Sequence, residues 1–169
     1  MPFQDQNRDH LTERAAVPLA YDFDNSLLYH LARASNLMAF GADPGNSKQY
    51  AVNVREWRVL AVLGSYQPIT SAGIVEVTGL DKATVSRALD ALDRKGMIRR
   101  APHPEDGRAS LLSLTEAGVE LNNRIVPEAT AQGRAYEAGL EPEERAELLR
   151  LLAKLMDHAR LVNAGKAVT

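Results

Sequence analysis

Cysteine is absent from the 169 residues, which excludes disulfide staples, thiolate catalysis, cysteine-ligated metals and any thiol-based redox sensor. Long apolar runs are lacking as well. The stretch Ala15 to Tyr21 is interrupted by Pro18 and falls far short of the roughly 18 residues that a membrane-spanning helix requires, so no membrane partner is expected. Neither sign of charge dominates: 20 Lys and Arg stand against 22 Asp and Glu, a net charge of -2. An anionic partner would therefore have to be met by a local basic patch. Met1 to Glu13 is polar and includes Asp5 and Asp9, unlike the basic start and apolar core of a secretory signal; a cytoplasmic location is expected. Glycine-rich phosphate loops and a Gly-x-Ser-x-Gly elbow are missing. His10, His30, His103 and His158 have no metal-ligand spacing and read as surface or packing residues. Glu143 and Glu144 sit at a helix start, where they favour the helix dipole. No catalytic constellation, cofactor or metal is expected.

What is present is the balance of a globular domain, 45% hydrophobic and 25% charged, with length for one domain and appended helices. Residues 1–22 carry no helical or strand periodicity and predict a flexible arm. Leu27, Leu31, Ala34 and Met38 then recur at helical spacing behind a possible Asp24 cap, and Gly41, Pro44 and Gly45 stop the pattern. After a polar loop, Val54, Trp57, Leu60, Ala61 and Leu63 mark a second helix, ended by Gly64 and Pro68, with its lone Trp in the core. Thr70 or Ser71 can cap a short helix bearing Ile74, Val75 and Val77, which Thr78 and Gly79 break. Asp81 can cap another, with Val85, Leu89 and Leu92 on its inner face. Two short helices joined by a tight turn form a helix-turn-helix.

Gly96 is placed to end that helix in a left-handed conformation. Met97 to Arg100 and Ser110 to Leu114 follow as two short strands, and Pro102 to Arg108 is a charged, turn-rich tip. This hairpin reads as a wing. Thr115 opens a long helix with Ala117, Leu121 and Ile125 inward and Pro127 as an expected irregularity. Pro142 begins a last helix, apolar along Leu148, Leu151, Leu152, Leu155, Met156 and Ala159.

Local charge locates a function. Lys82, Arg87, Arg94, Lys95, Arg99, Arg100 and Arg108 outnumber Asp90, Asp93, Glu105 and Asp106, whereas acids outnumber bases from Thr115 to Val162. A basic middle between acidic ends is the footprint of a nucleic-acid reader. With Val85, Leu89 and Leu92 inward, Lys82, Thr84, Ser86, Arg87 and Asp90 are expected to face solvent. Arg can fork onto guanine, Ser and Thr can bond bases or phosphates, and Lys at a positive helix end suits phosphate. On the wing, Arg108 stands on a turn that has nothing apolar to bury and is free to reach a minor groove, while Asp106 can brace the turn or Arg108 itself. Tyr21, Phe23, Tyr29, His30 and Arg33 could line an effector pocket or serve as core and rim. A winged-helix module used for protein contacts is the rival reading.

These residues resemble a known family. Glu56-Trp57-Arg58-Val59-Leu60, Thr84-Val85-Ser86-Arg87 with Leu89, Leu92, Gly96, Ile98 and Arg100, then Asp106-Gly107-Arg108 and Leu114-Thr115-Glu116-Ala117-Gly118 look like the MarR-type winged helix-turn-helix transcriptional regulators. The Asp-x-Arg wing followed by Leu-Thr-x-x-Gly is the specific part. The implied architecture is mainly α with a small two- or three-stranded β wing, a winged helix-turn-helix flanked by N- and C-terminal dimerisation helices. The single domain would run over 23–162, with dimerisation helices at 23–45 and 115–162, a DNA-binding lobe at 54–114 and a tail at 163–169. The resemblance further implies a homodimer on a pseudo-palindromic double-stranded DNA operator, and repression relieved by a small aromatic or phenolic effector, for which Tyr29, His30 and Arg33 are the candidates. By match to the motif, Thr84, Ser86 and Arg87 would enter the major groove and Arg108 the minor groove, with Asp106 holding the wing. The missing cysteine removes the peroxide-sensing mode that some members use.

Burial requirements of the terminal helices also favour assembly. A winged module encloses its own small core, so the leucine stripes of the first and last helices need another surface. Two-fold symmetry would set two recognition helices about 34 Å apart, one turn of DNA.

Overall fold

The computed structural model describes residues 21–39 and 48–165. The arm expected over 1–22 lies outside the described residues except for Tyr21 and Asp22, as do Gly41, Pro44 and Gly45 and the tail from 166 onward. The chain divides between Ser35 and Asn36 into two compact units.

In the first unit, helix α1 (Leu27–Leu37) is capped by Ser26 rather than by Asp24. The Ser26 hydroxyl accepts the Tyr29 N–H at 3.2 Å. A turn over residues 23–25 intervenes, so the capping position falls two residues later than the sequence suggests. Asp22 fixes that turn by accepting from the Asn25 backbone and side-chain amides at 3.3 and 2.6 Å.

The second unit holds the core. Helix α2 (Val54–Tyr66) opens on a capping box in which Asn53 accepts from the Arg55 and Glu56 N–H groups while the Glu56 carboxylate accepts the Asn53 N–H. It runs through Gly64 and stops before Pro68, correcting the expectation that Gly64 ends it. Gly64 is needed inside the helix for space: a Cβ there would press on the Asn122 side-chain amide. Strand β1 (Ile69–Thr70) leads into α3 (Ser71–Thr78), whose first turn is capped by the Thr70 hydroxyl. The turn of the helix-turn-helix then forms at Gly79, where φ is 66°. Its N–H donates to the Val75 carbonyl at 2.9 Å, and only glycine adopts this conformation without strain.

Helix α4 (Lys82–Arg94) follows, and Gly96 at φ 68° turns the chain out of it. Strands β2 (Ile98–Pro102) and β3 (Ser110–Leu114) pair antiparallel from Ile98 opposite Leu114 to Pro102 opposite Ser110. Strand β1 adds to the other edge of β3, giving a three-stranded sheet in the order β1-β3-β2. β2 starts one residue later and ends two later than the sequence suggests, because Met97 is spent on the turn: its N–H returns to the Leu92 carbonyl at 2.9 Å.

Val59, Leu60 and Leu63 of α2, Ile74 of α3, Val85, Leu89 and Leu92 of α4, Ile98 and the β3 residues Leu112 and Leu114 form one buried cluster, with Trp57 partly buried against it. Each large aliphatic there contributes about 1.5–3 kcal/mol. Helix α5 (Glu116–Glu137) plants Leu121 and Ile125 in the same cluster and continues through Pro127. Helix α6 (Pro142–Asn163), with proline in its first turn, buries none of its residues. Among the described residues, no helix is long and apolar enough to cross a membrane.

Candidate nucleic-acid interface

The first turn of α4 is organised by one hydrogen-bonded chain. Asp81, its cap, accepts the Thr84 N–H at 2.8 Å and the Thr84 hydroxyl at 2.6 Å. That hydroxyl accepts in turn from Nη2 of Arg87 at 3.1 Å. Thr84, expected to face solvent, is 7% exposed. Its hydroxyl is engaged by both Asp81 and Arg87, so it restrains the neighbouring Arg87 side chain. Its two hydrogen bonds are also the main cause of the lowered pKa of the Asp81 carboxyl; desolvation opposes them, and the Arg87 charge lowers it further.

Lys82, Ser86, Arg87 and Asp90 are exposed, as expected. The bond to Thr84 restricts Arg87 while using one of the five donors of its guanidinium, so the group is directed outward with donors to spare. A side chain restrained before binding loses less entropy on meeting a base edge.

Two of the seven basic residues counted in the sequence serve internal ties instead. Arg100, on β2, donates Nε to Asp93 at 3.1 Å and Nη2 to Asp90 at 3.5 Å, linking the wing strand to the outer face of α4. Lys95, just past the end of α4, reaches the buried Glu56 carboxylate at 2.7 Å and the Ala51 carbonyl at 2.6 Å. Glu56 thereby serves the cap of α2 and the end of α4 together. Sequence reading missed this role, though an acid three residues after Asn53 was its visible signal.

On the wing, Asp106 accepts the Arg108 N–H at 2.9 Å. Of the two roles open to it, this is bracing of the turn, and it leaves the exposed Arg108 side chain at the tip. His103, read as a surface or packing residue, also braces the tip, since its Nδ1 accepts the N–H groups of Glu105 and Asp106 at 3.2 and 3.1 Å.

The base of the wing is tied to α5. Thr115 donates its N–H to the Met97 carbonyl at 3.0 Å and its hydroxyl to the Gly96 carbonyl at 2.7 Å, and the same hydroxyl caps α5 by accepting the Gly118 N–H at 3.1 Å. Gly118 lies so close to the Met97 carbonyl that a Cβ would overlap it. Both Thr115 and Gly118 of the Leu-Thr-x-x-Gly motif thus fix the joint between wing and helix.

In the first unit, Tyr21, Phe23, Tyr29 and His30 form a run of edge-to-face rings with centroids 4.9, 4.7 and 5.9 Å apart. His30 Nδ1 lies 2.9 Å from the Ser26 carbonyl, and Arg33 lies on the next turn of α1. In the second unit, α2 and α5 form an open recess of about 400 Å³ whose lining includes Trp57, Ala61, Asn122 and Val126. Asn122 Oδ1 has no hydrogen-bond partner.

Comparison with known proteins agrees with this geometry. A family model described as the MarR family matches residues 52–109. The HTH-type transcriptional regulator PecS of Dickeya dadantii is 33% identical over 136 residues, 79% of this chain and 80% of the relative. The crystal structure of a MarR/EmrR family transcriptional regulator from Acinetobacter sp. ADP1 is 27% identical, with a TM-score of 0.75 over 83% of this chain and 99% of that one. The S. aureus MepR–DNA complex has the same fold, at 23% identity and a TM-score of 0.68 over 78% of this chain and 97% of that one. On this likeness in sequence and fold, the chain belongs to the MarR family of winged helix-turn-helix, DNA-binding transcriptional regulators.

Proposed function

We propose that the protein acts in the cytoplasm as a homodimeric, ligand-responsive repressor of a pseudo-palindromic operator. Lys82, Ser86 and Arg87 would enter the major groove, with Lys82 on phosphate and Arg87 on a base edge, and Arg108 would reach the flanking minor groove. The observation that carries this reading is the Asp81–Thr84–Arg87 chain, which restrains one cation at the N-terminal half of the recognition helix. Repression needs nothing further, since occupancy of an operator that overlaps a promoter is enough to exclude polymerase. Arg87→Ala is expected to weaken binding of the preferred site by about 1–3 kcal/mol and to relax preference at one position per half-site. A variant with the parent's affinity and base preference removes Arg87 from the reading residues.

Exposed apolar residues of α6, among them Leu148, Leu149, Leu151, Met156 and Leu161, support dimerisation through the terminal helices. The domain boundaries implied by the sequence, a DNA-binding lobe at 54–114 and dimerisation helices at 23–45 and 115–162, belong to this proposal.

For the effector, the ring run with Tyr29, His30 and Arg33 supports stacking of a small aromatic or phenolic molecule. The recess between α2 and α5 offers a second seat, with Asn122 among the residues that line it. Trp57 is the sole tryptophan and lines that recess, so its fluorescence reports a ligand seated there. Titration with simple phenolic acids is expected to release the protein from DNA. A concurrent change in Trp57 emission that Asn122→Ala abolishes assigns the recess; release that depends on Tyr29 assigns α1. No release by any of them contradicts the expected effector class.

A further inference from the structure

The tip of the wing has no large apolar side chain to anchor it, only Pro104 and Ala109, so its shape rests on hydrogen bonds. His103 N–H donates to the Ala109 carbonyl at 3.2 Å and Ala109 N–H to the Asp106 carbonyl at 3.0 Å. Asp106 Oδ1 takes the Arg108 N–H at 2.9 Å. Two further amides, of Glu105 and Asp106, converge on the one nitrogen Nδ1 of His103, at 3.2 and 3.1 Å. Accepting them requires the Nδ1 lone pair, which places the proton of the neutral ring on Nε2. The imidazole thus takes the place that the side-chain oxygen of Asn or Asp has in an Asx turn, and the following Pro104 favours the same turn.

We infer that His103 is a positioning residue for DNA recognition: its ring holds the wing tip in the conformation from which Arg108 reaches DNA. The inference rests on the proposed reading that Arg108 contacts the minor groove. His103 acts through Arg108 and not by touching DNA. Without the cap, the tip between Pro102 and Ser110 loses two of its five hydrogen bonds, and binding must order it. The same physics predicts that asparagine, which supplies an acceptor at that place without adding charge, substitutes for histidine while alanine does not.

The test is a double-mutant cycle on the preferred duplex with the full chain. Arg108→Ala alone is expected to weaken binding. His103→Ala is expected to weaken it by about 3- to 10-fold, and His103→Asn to stay within about twofold of the parent. In the Arg108→Ala background, His103→Ala is expected to have no further effect. Amide hydrogen exchange of the free protein reads the cap independently of DNA, with protection at Glu105 and Asp106 lost in His103→Ala and kept in His103→Asn. If Arg108→Ala binds as the parent does, the wing reading fails and the positioning role with it. If Arg108→Ala weakens binding but His103→Ala does not, the inference alone is overturned. The same follows if the His103→Ala loss persists in full without Arg108, or if asparagine is as poor as alanine.

Discussion

Thr84 is a buried side chain that restrains an exposed cation. Its hydroxyl donates to Asp81 and accepts from Arg87, so a group at 7% exposure sets the direction of an exposed guanidinium. Thr84→Val keeps the buried volume and deletes the hydroxyl, leaving the Asp81 carboxylate short of one donor and Arg87 unrestrained. DNA affinity is expected to fall by about 3- to 10-fold, a loss of about one hydrogen bond, while Thr84→Ser stays close to the parent. Fluorescence anisotropy on a fixed duplex decides it, and equal affinities for the valine variant and the parent would show that the restraint has no part in binding. The sequence reveals the residue types of this site but misplaces Thr84. Helical spacing puts position 84 at the border of the inner face, and the choice between solvent and interior depends on which partner its hydroxyl finds. The inner positions Val85, Leu89 and Leu92 are legible because burial of aliphatic groups follows the helical period directly.

Among the elements, the wing and the recognition helix are held by ties that join distant parts of the chain. Arg100 fastens β2 to α4, Lys95 fastens the end of α4 to Glu56 and Ala51, and Thr115 fastens α5 to the turn at Gly96 and Met97. The tightest approach is at Gly118, where no side chain fits against the Met97 carbonyl. Gly118→Ala is therefore expected to force α5 away from the wing base and destabilise the fold by about 1–3 kcal/mol, as overpacking does. Urea unfolding measures it, and a parent-like midpoint would mean that the joint yields freely. The helices, the turn at Gly79 and the strands are readable from caps, glycines and periodicity, which are local. Gly64 misleads for the opposite reason: its lack of a side chain answers to Asn122, 58 positions away in the chain, and not to the end of its own helix. The pairings of Arg100 and Lys95 are equally hidden, since a basic residue looks the same in sequence whether it faces DNA or a carboxylate across the fold.

For the whole molecule, sequence-specific recognition of double-stranded DNA by two copies of the chain is the central claim. One winged lobe exposes Lys82, Ser86, Arg87 and Arg108, which under the proposed reading form a small contact surface that dimerisation through the terminal helices would double with a fixed spacing. Phosphate contacts in both half-sites would also make the affinity fall steeply with salt. Selection of bound duplexes from a random DNA pool by the purified protein, with the recovered sites titrated at two salt concentrations, tests this most directly. The expected result is a two-fold symmetric site whose half-sites lie about one helical turn apart, bound more weakly at the higher salt. A recovered site without symmetry would contradict the dimer, and a pool that shows no enrichment, before or after the protein is stripped of small molecules by denaturation and refolding, would contradict the account itself.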